Sequence, residues 1–117
     1  MKTLYALLMC FGVARADDWT TQDTIRQVAL QTALTADWMQ TRQIAKHPES
    51  WYETNAMLGD HPSVARVNQY FIASSLVAYG IARALPEKWR LPYQYLYIGY
   101  EGNFFANNLR FGINVEF

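Results

Sequence analysis

Apolar and polar positions alternate with a helical period along most of this chain, and three stretches carry the pattern. The first runs over residues 22–46 with no glycine or proline to interrupt it. Thr20 is its expected N-cap, with Asp23 three residues on to favour the helix dipole. Arg42 and Lys46 suit the C-terminal end, and Pro48 stops the helix. The second runs over 63–85, carries no charge from Tyr70 to Ala82 and ends before Pro86. Residues 86–90 then read as a short polar turn, and Pro92 as the first-turn proline of a third helix over 92–108. Between the first two helices, residues 47–62 hold Pro48, Asn55, Gly59 and Pro62, the composition of a loop. Its Trp51, Tyr52 and Glu53 suggest that it folds back on the domain. The tail alternates, with Leu109, Phe111, Ile113, Val115 and Phe117 predicted on one side. The fold class expected is all-α, a three-helix bundle with a short extended C-terminal tail.

The first sixteen residues follow another rule. Lys2 gives a positive start, Leu4 to Val13 carries no charge, and Ala14-Arg15-Ala16 sets small residues where a signal peptidase reads, just before Asp17. Residues 1–16 are therefore expected to be a signal peptide and residues 17–117 a single helical domain. Cys10 is the only cysteine, and Met9 stands where a lipoprotein signal wants a small residue. The mature chain is then expected to hold neither disulfide nor thiol chemistry.

The chain has 117 residues, half of them hydrophobic and 15% aromatic, with ten basic and ten acidic side chains. That balance speaks against nucleic acid as a partner, which needs a basic surplus. Loss of Lys2 and Arg15 with the signal leaves the mature chain near −2. The second helix has the length of a membrane span, with Arg66, Asn68, Gln69 and Arg83 near its ends, where long side chains can snorkel. Small residues one turn apart (Ala29 and Ala33; Ser74, Ala78 and Ala82; Gly102 and Ala106) suggest close helix packing of the kind membrane bundles use. A mean hydropathy of −0.13 pulls the other way. Three basic residues flank each helix connection, so charge does not orient the chain. The expectation is a membrane-associated protein of the bacterial envelope, at the inner rather than the outer membrane, with a soluble periplasmic bundle as the rival. Lipid is the expected partner, and a protein partner or a homo-oligomer the alternative. Trp38, Trp51, Trp89, Tyr93, Tyr95 and Tyr97 are expected as interfacial belts. An outer-membrane barrel needs at least eight strands, and the tail offers one.

Chemistry concentrates on Asp37. It sits mid-helix among Ala33, Leu34, Trp38 and Met39, with Gln40 and Thr41 on the same face. Glu101 is its counterpart on the third helix, and Asn108, seven residues on, shares its face. Two inward carboxylates with amides can bind a cation, pass a proton or hold a polar head group. The competing reading is a buried polar contact that fixes helix register, with Arg42, Arg66 or Arg110 neutralising the charge. His47 and His61, with Glu53 and Asp60, match no tight metal motif, and capping beside a proline explains them better. No nucleophile elbow, phosphate loop or paired-cysteine motif is present, so no cofactor, metal or catalytic residue is assigned. Gly99 and Gly102 read as packing positions.

The spacing Asp37-x-x-x-Thr41, followed by Glu53-x-Asn55 and then a small-residue helix, resembles a group of uncharacterised small bacterial membrane proteins that carry Glu-x-Asn-Pro. Ala56 stands at the proline position here. The resemblance implies a membrane setting and no particular activity. It adds Thr41, Glu53 and Asn55 to Asp37, Glu101 and Asn108 as the candidate polar site. The role expected is structural or accessory, in assembly or binding, and the alternative is a protein or enzyme that handles an ion or polar ligand through Asp37 and Glu101.

Overall fold

A computed structural model describes residues 18–115, and three helices account for most of them: α1 (Thr21–Lys46), α2 (Val64–Ala84) and α3 (Glu87–Arg110). No strand occurs among the described residues. Residues 1–16, the expected signal segment with Cys10, and the terminal Phe117 lie outside them. α1 is the central helix. It packs along both α2 and α3, which touch each other at few points.

The helix ends follow local chemistry. Thr20 caps α1 reciprocally: its hydroxyl accepts from Asp23 N at 3.1 Å, and Asp23 Oδ2 accepts from Thr20 N at 2.9 Å. Ser63 Oγ accepts from Arg66 N at the start of α2. Leu85 turns extended before Pro86, as a residue preceding proline should. α3 closes on a full Schellman turn. Gly112 has φ of +80°, its N–H bonds Leu109 O, and Ile113 N bonds Asn108 O.

Two expectations about α3 are corrected. The helix starts at Glu87, directly after Pro86, so 86–90 is no separate turn and Pro92 is the sixth helical residue. Pro92 lacks the N–H that would bond Lys88 O. Lys88 is exposed, so that carbonyl can be hydrated, and the buried Arg90 fixes the turn in which it sits. The helix also continues to Arg110, which breaks the one-sided tail: Ile113 is buried, whereas Leu109, Phe111 and Val115 are exposed.

The apolar core is small. Leu30 and Leu34 of α1 meet Val67, Phe71 and Ala78 of α2 and Leu58 of the linker, with Trp38, Tyr93, Tyr97 and Ile98 packed against them. The expected seams narrow to one: Ala78 and Ala82 are buried, whereas Ala29, Gly102 and Ala106 face outward. A Cβ added at Gly99 or Gly102 would meet nothing within 4 Å, so neither glycine marks a close approach. The aromatic belt divides as well. Trp38, Tyr93 and Tyr97 join the core, and Trp89 and Tyr95 are exposed.

No helix among the described residues is long and apolar enough to cross a membrane. That corrects the expectation of a spanning α2, whose 21 residues include Arg66, Asn68, Gln69 and Arg83.

Candidate functional site

The interior of this bundle holds as many polar side chains as apolar ones, and they fall into two groups. The first is built on Arg90, which is 0% exposed. Its guanidinium donates to Ala82 O (2.8 Å), Asp23 Oδ2 (2.9 Å), Asp18 Oδ1 (2.8 Å) and Leu85 O (2.8 Å). Arg26 also pairs with Asp23. Gln94, equally buried, donates to Asp23 O and Gln27 Oε1 and accepts from Arg26 Nε at 2.7 Å. Burial by itself would raise the Asp23 carboxyl, but the bonds from Thr20 and Arg90 outweigh it and hold it below the ordinary value. Every strong donor and acceptor here has its partner, as a structural network requires. Asp23 was visible in the sequence only as a capping residue, and Arg90 only as part of a turn.

The second group surrounds a cavity of about 440 Å³ between α1, α3 and the returning linker. All six residues of the predicted polar site, Asp37, Thr41, Glu53, Asn55, Glu101 and Asn108, line it. Helical spacing presents Asp37, Thr41 and Ile44 from α1, and Glu101, Phe104 and Asn108 from α3. The linker reaches them through a tight local fold. Glu53 Oε1 accepts from Thr54 N and Asn55 N, both at 3.0 Å, and Asn55 Oδ1 accepts from Met57 N. Asn55 Nδ2 donates to Tyr70 OH of α2, and Glu53 N donates to Asp60 O. Gly59 supplies the positive φ, +82°, that lets Leu58 turn into the core.

The remaining walls are aromatic: Trp51, Tyr70, Phe71, Tyr100 and Phe104. Sequence reasoning left them out of the site. The spacing 97-101-104-108, which sets Phe104 on the Glu101 face, was the available signal. Gln40 holds the far end of α3. It donates to Phe105 O and Ile113 O and accepts from Asn108 Nδ2.

The electrostatics of the cavity are unbalanced. Glu53 is 8% exposed and Glu101 5%, and Oε2 of each carboxyl has no hydrogen-bond donor. Among the described residues no lysine, arginine or histidine lines the cavity. Arg42 bonds Asn68 Oδ1 and Arg66 bonds Met57 O, while Arg110 is exposed. Burial raises Asp37, an effect partly offset by bonds from Glu101 and Thr41. Burial and the adjacent Asp37 push Glu101 up as well, so the two carboxyls hold one proton between them. Burial also raises Glu53, against the bonds from Asn55 and Thr54 and with the Asp37 charge adding to the rise. Thr41 donates back to Asp37 O at 2.8 Å, with Asp37 Oδ1 at 3.2 Å.

The histidines take no part. His47 lies 3.3 Å from Glu49 and edge-on to Trp51, and His61 is exposed. Among the described residues no three His, Cys, Asp or Glu side chains are placed to hold a metal ion.

Fold and site together define an all-α bundle with a closed structural network at one end and an acidic, aromatic-walled cavity at the other. No protein family, curated protein or solved structure matches the chain.

Proposed function

We propose that this chain is an exported accessory protein of the bacterial envelope that binds a small polar ligand in the cavity between α1, α3 and the linker. One observation carries the reading. Glu53 and Glu101, each more than nine-tenths buried, line the cavity, and Oε2 of Glu53 has no donor. A buried acceptor without a donor costs on the order of 1–3 kcal/mol, more when charged, so a fold that keeps one in a cavity-lining residue leaves room for a donor from outside. The cavity volume lies within the range of small-molecule sites, and its lining, aromatic with a few convergent polar groups, has their usual composition. Export rests on the pattern of residues 1–16.

The test is a thermal-shift and fluorescence screen of the full chain against small amines, amides, alcohols and carboxylic acids. Trp51 lines the cavity and serves as the optical reporter. A saturable change for at least one hydrogen-bond donor, lost in Glu53→Gln, is expected. A panel that leaves melting temperature and Trp emission untouched contradicts the reading.

A second observation supports a membrane-surface setting for the same protein. Large apolar side chains stand on the outside of the bundle, with Leu76 70% and Leu96 75% exposed beside Ile72, Val77 and Tyr95. Exposed apolar surface of this kind favours a lipid or protein contact. The resemblance to small bacterial membrane proteins points the same way. Fractionation tests it: detergent-dependent extraction supports the membrane setting, and release by osmotic shock favours the periplasmic bundle.

A further inference from the structure

We propose that the cavity takes a primary ammonium group carried on an apolar body, with Glu53 and Glu101 as its acceptors and the Tyr70–Phe71 and Tyr100–Phe104 rings as the walls around the body. The inference rests on the binding reading above and names the ligand class.

Four features narrow the class. The acceptor without a donor is a carboxylate oxygen, Oε2 of Glu53, which takes N–H or O–H donors and gains most from a charged one. No cationic side chain among the described residues lines the cavity, so the balancing charge is left for the ligand to bring. The walls carry aromatic rings, which favour an organic cation over a strongly hydrated metal ion. A bare ammonium ion would leave most of the 440 Å³ unfilled, which argues for a carbon body behind the nitrogen.

Entry of the cation has a proton consequence. The groups facing the site are Asp37 from α1, Glu53 and Tyr52 from the linker, Tyr70 from α2, and Tyr100 and Glu101 from α3. Burial and the close approach of the two acids keep a proton on the Asp37–Glu101 pair. An ammonium ion placed against this pair favours its fully ionised form, so the shared proton leaves to solvent as the ligand enters. Binding is then a cation-for-proton exchange and strengthens as pH rises through neutrality.

The same ammonium chemistry is found on free amines and on the ethanolamine head group of a lipid, and the experiment separates the two. The probes are benzylamine and benzyl alcohol, titrated into the full chain by calorimetry in two buffers of different ionisation enthalpy. The second arm is sedimentation with phosphatidylcholine vesicles, with and without phosphatidylethanolamine. Benzylamine is expected to bind at least tenfold more tightly than benzyl alcohol and to release protons. Glu53→Gln and Glu101→Gln should each weaken it tenfold or more, and Glu101→Gln should also abolish proton release while circular dichroism stays unchanged. Extra sedimentation on the ethanolamine vesicles, lost in Glu53→Gln, supports the class with the head group as its source. Benzylamine binding with equal sedimentation on both vesicles supports it with a free amine as the source. Equal binding of amine and alcohol, or wild-type affinity for benzylamine in both variants, overturns the ammonium assignment. If neutral amides shift the melting temperature while amines do not, the ligand class is wrong and the cavity remains a binding site. If no probe of any class registers, both readings fail.

Discussion

Arg90 and Glu101 lie on one helix, are almost equally buried, and end in opposite situations. The Arg90 guanidinium meets two carboxylates and two carbonyls, with every bond between 2.8 and 2.9 Å. The Glu101 carboxyl meets a second acid, Asp37, with which it shares a proton, and no cation. Burial is therefore no guide to role in this molecule. What separates the two regions is charge compensation: Arg90 meets its counterions inside the fold, whereas among the described residues no cation lines the cavity of Asp37, Glu53 and Glu101, and the proposed ligand would bring one.

The largest test of that contrast is Arg90→Met. It leaves Asp18, Asp23 and two carbonyls without their shared donor, and removing one partner of a buried ion pair costs about 3–5 kcal/mol. We expect a loss of that size in urea unfolding, with Arg90→Lys recovering only part of it, because an ammonium cannot reproduce the guanidinium fork. A smaller loss, about 1–3 kcal/mol, is expected for Gln40→Leu, which strips partners from Asn108 and from the carbonyls of Phe105 and Ile113. Gly112→Ala, at a φ of +80°, should cost roughly 1–2 kcal/mol by straining the turn that ends α3. Glu101→Gln should change stability least at neutral pH, because the amide replaces the protonated carboxyl as a donor to Asp37.

The pH dependence sharpens the same comparison, since the two regions respond in opposite directions. Glu101 lies at about 9 in the folded chain against an ordinary 4.5, so the folded state keeps a proton that the unfolded state has lost. Stability of the unliganded protein should then fall as pH rises between those values. Asp37 and Glu53, also raised, act in the same sense. Asp23 is lowered, so its contribution is present above 3.8 and disappears as pH falls further. Melting temperatures from pH 3 to pH 9 should pass through a maximum in mildly acid solution. The decline on the alkaline side should flatten in Glu101→Gln.

Much of this was legible in the chain. Thr20, Ser63, Pro48 and Pro86 mark helix ends by their own chemistry, and the three helices fall within a few residues of their expected bounds except at Glu87. There a proline six residues into α3 reads locally as a helix start, because local rules cannot see that Arg90 is anchored by Asp23 of α1. The six site residues came from mid-helix carboxylates and a short Glu-x-Asn element, and they converge because α1 faces α3. The aromatic walls were assigned elsewhere: rings at helical spacing look alike whether they line a cavity, a core or a membrane surface. The Arg90–Asp23 network was missed because its members lie 67 residues apart and each had a sufficient local explanation.

The most direct test of the central claim is thermal unfolding at pH 8 of the unliganded Glu53→Gln/Glu101→Gln double variant. If the cavity acids are held for a ligand and not for the fold, the variant melts at or above the wild-type temperature, because two buried carboxyls no longer resist ionisation. A melting temperature far below wild type, comparable to that of Arg90→Met, would place these carboxyls in the structural network and contradict the account.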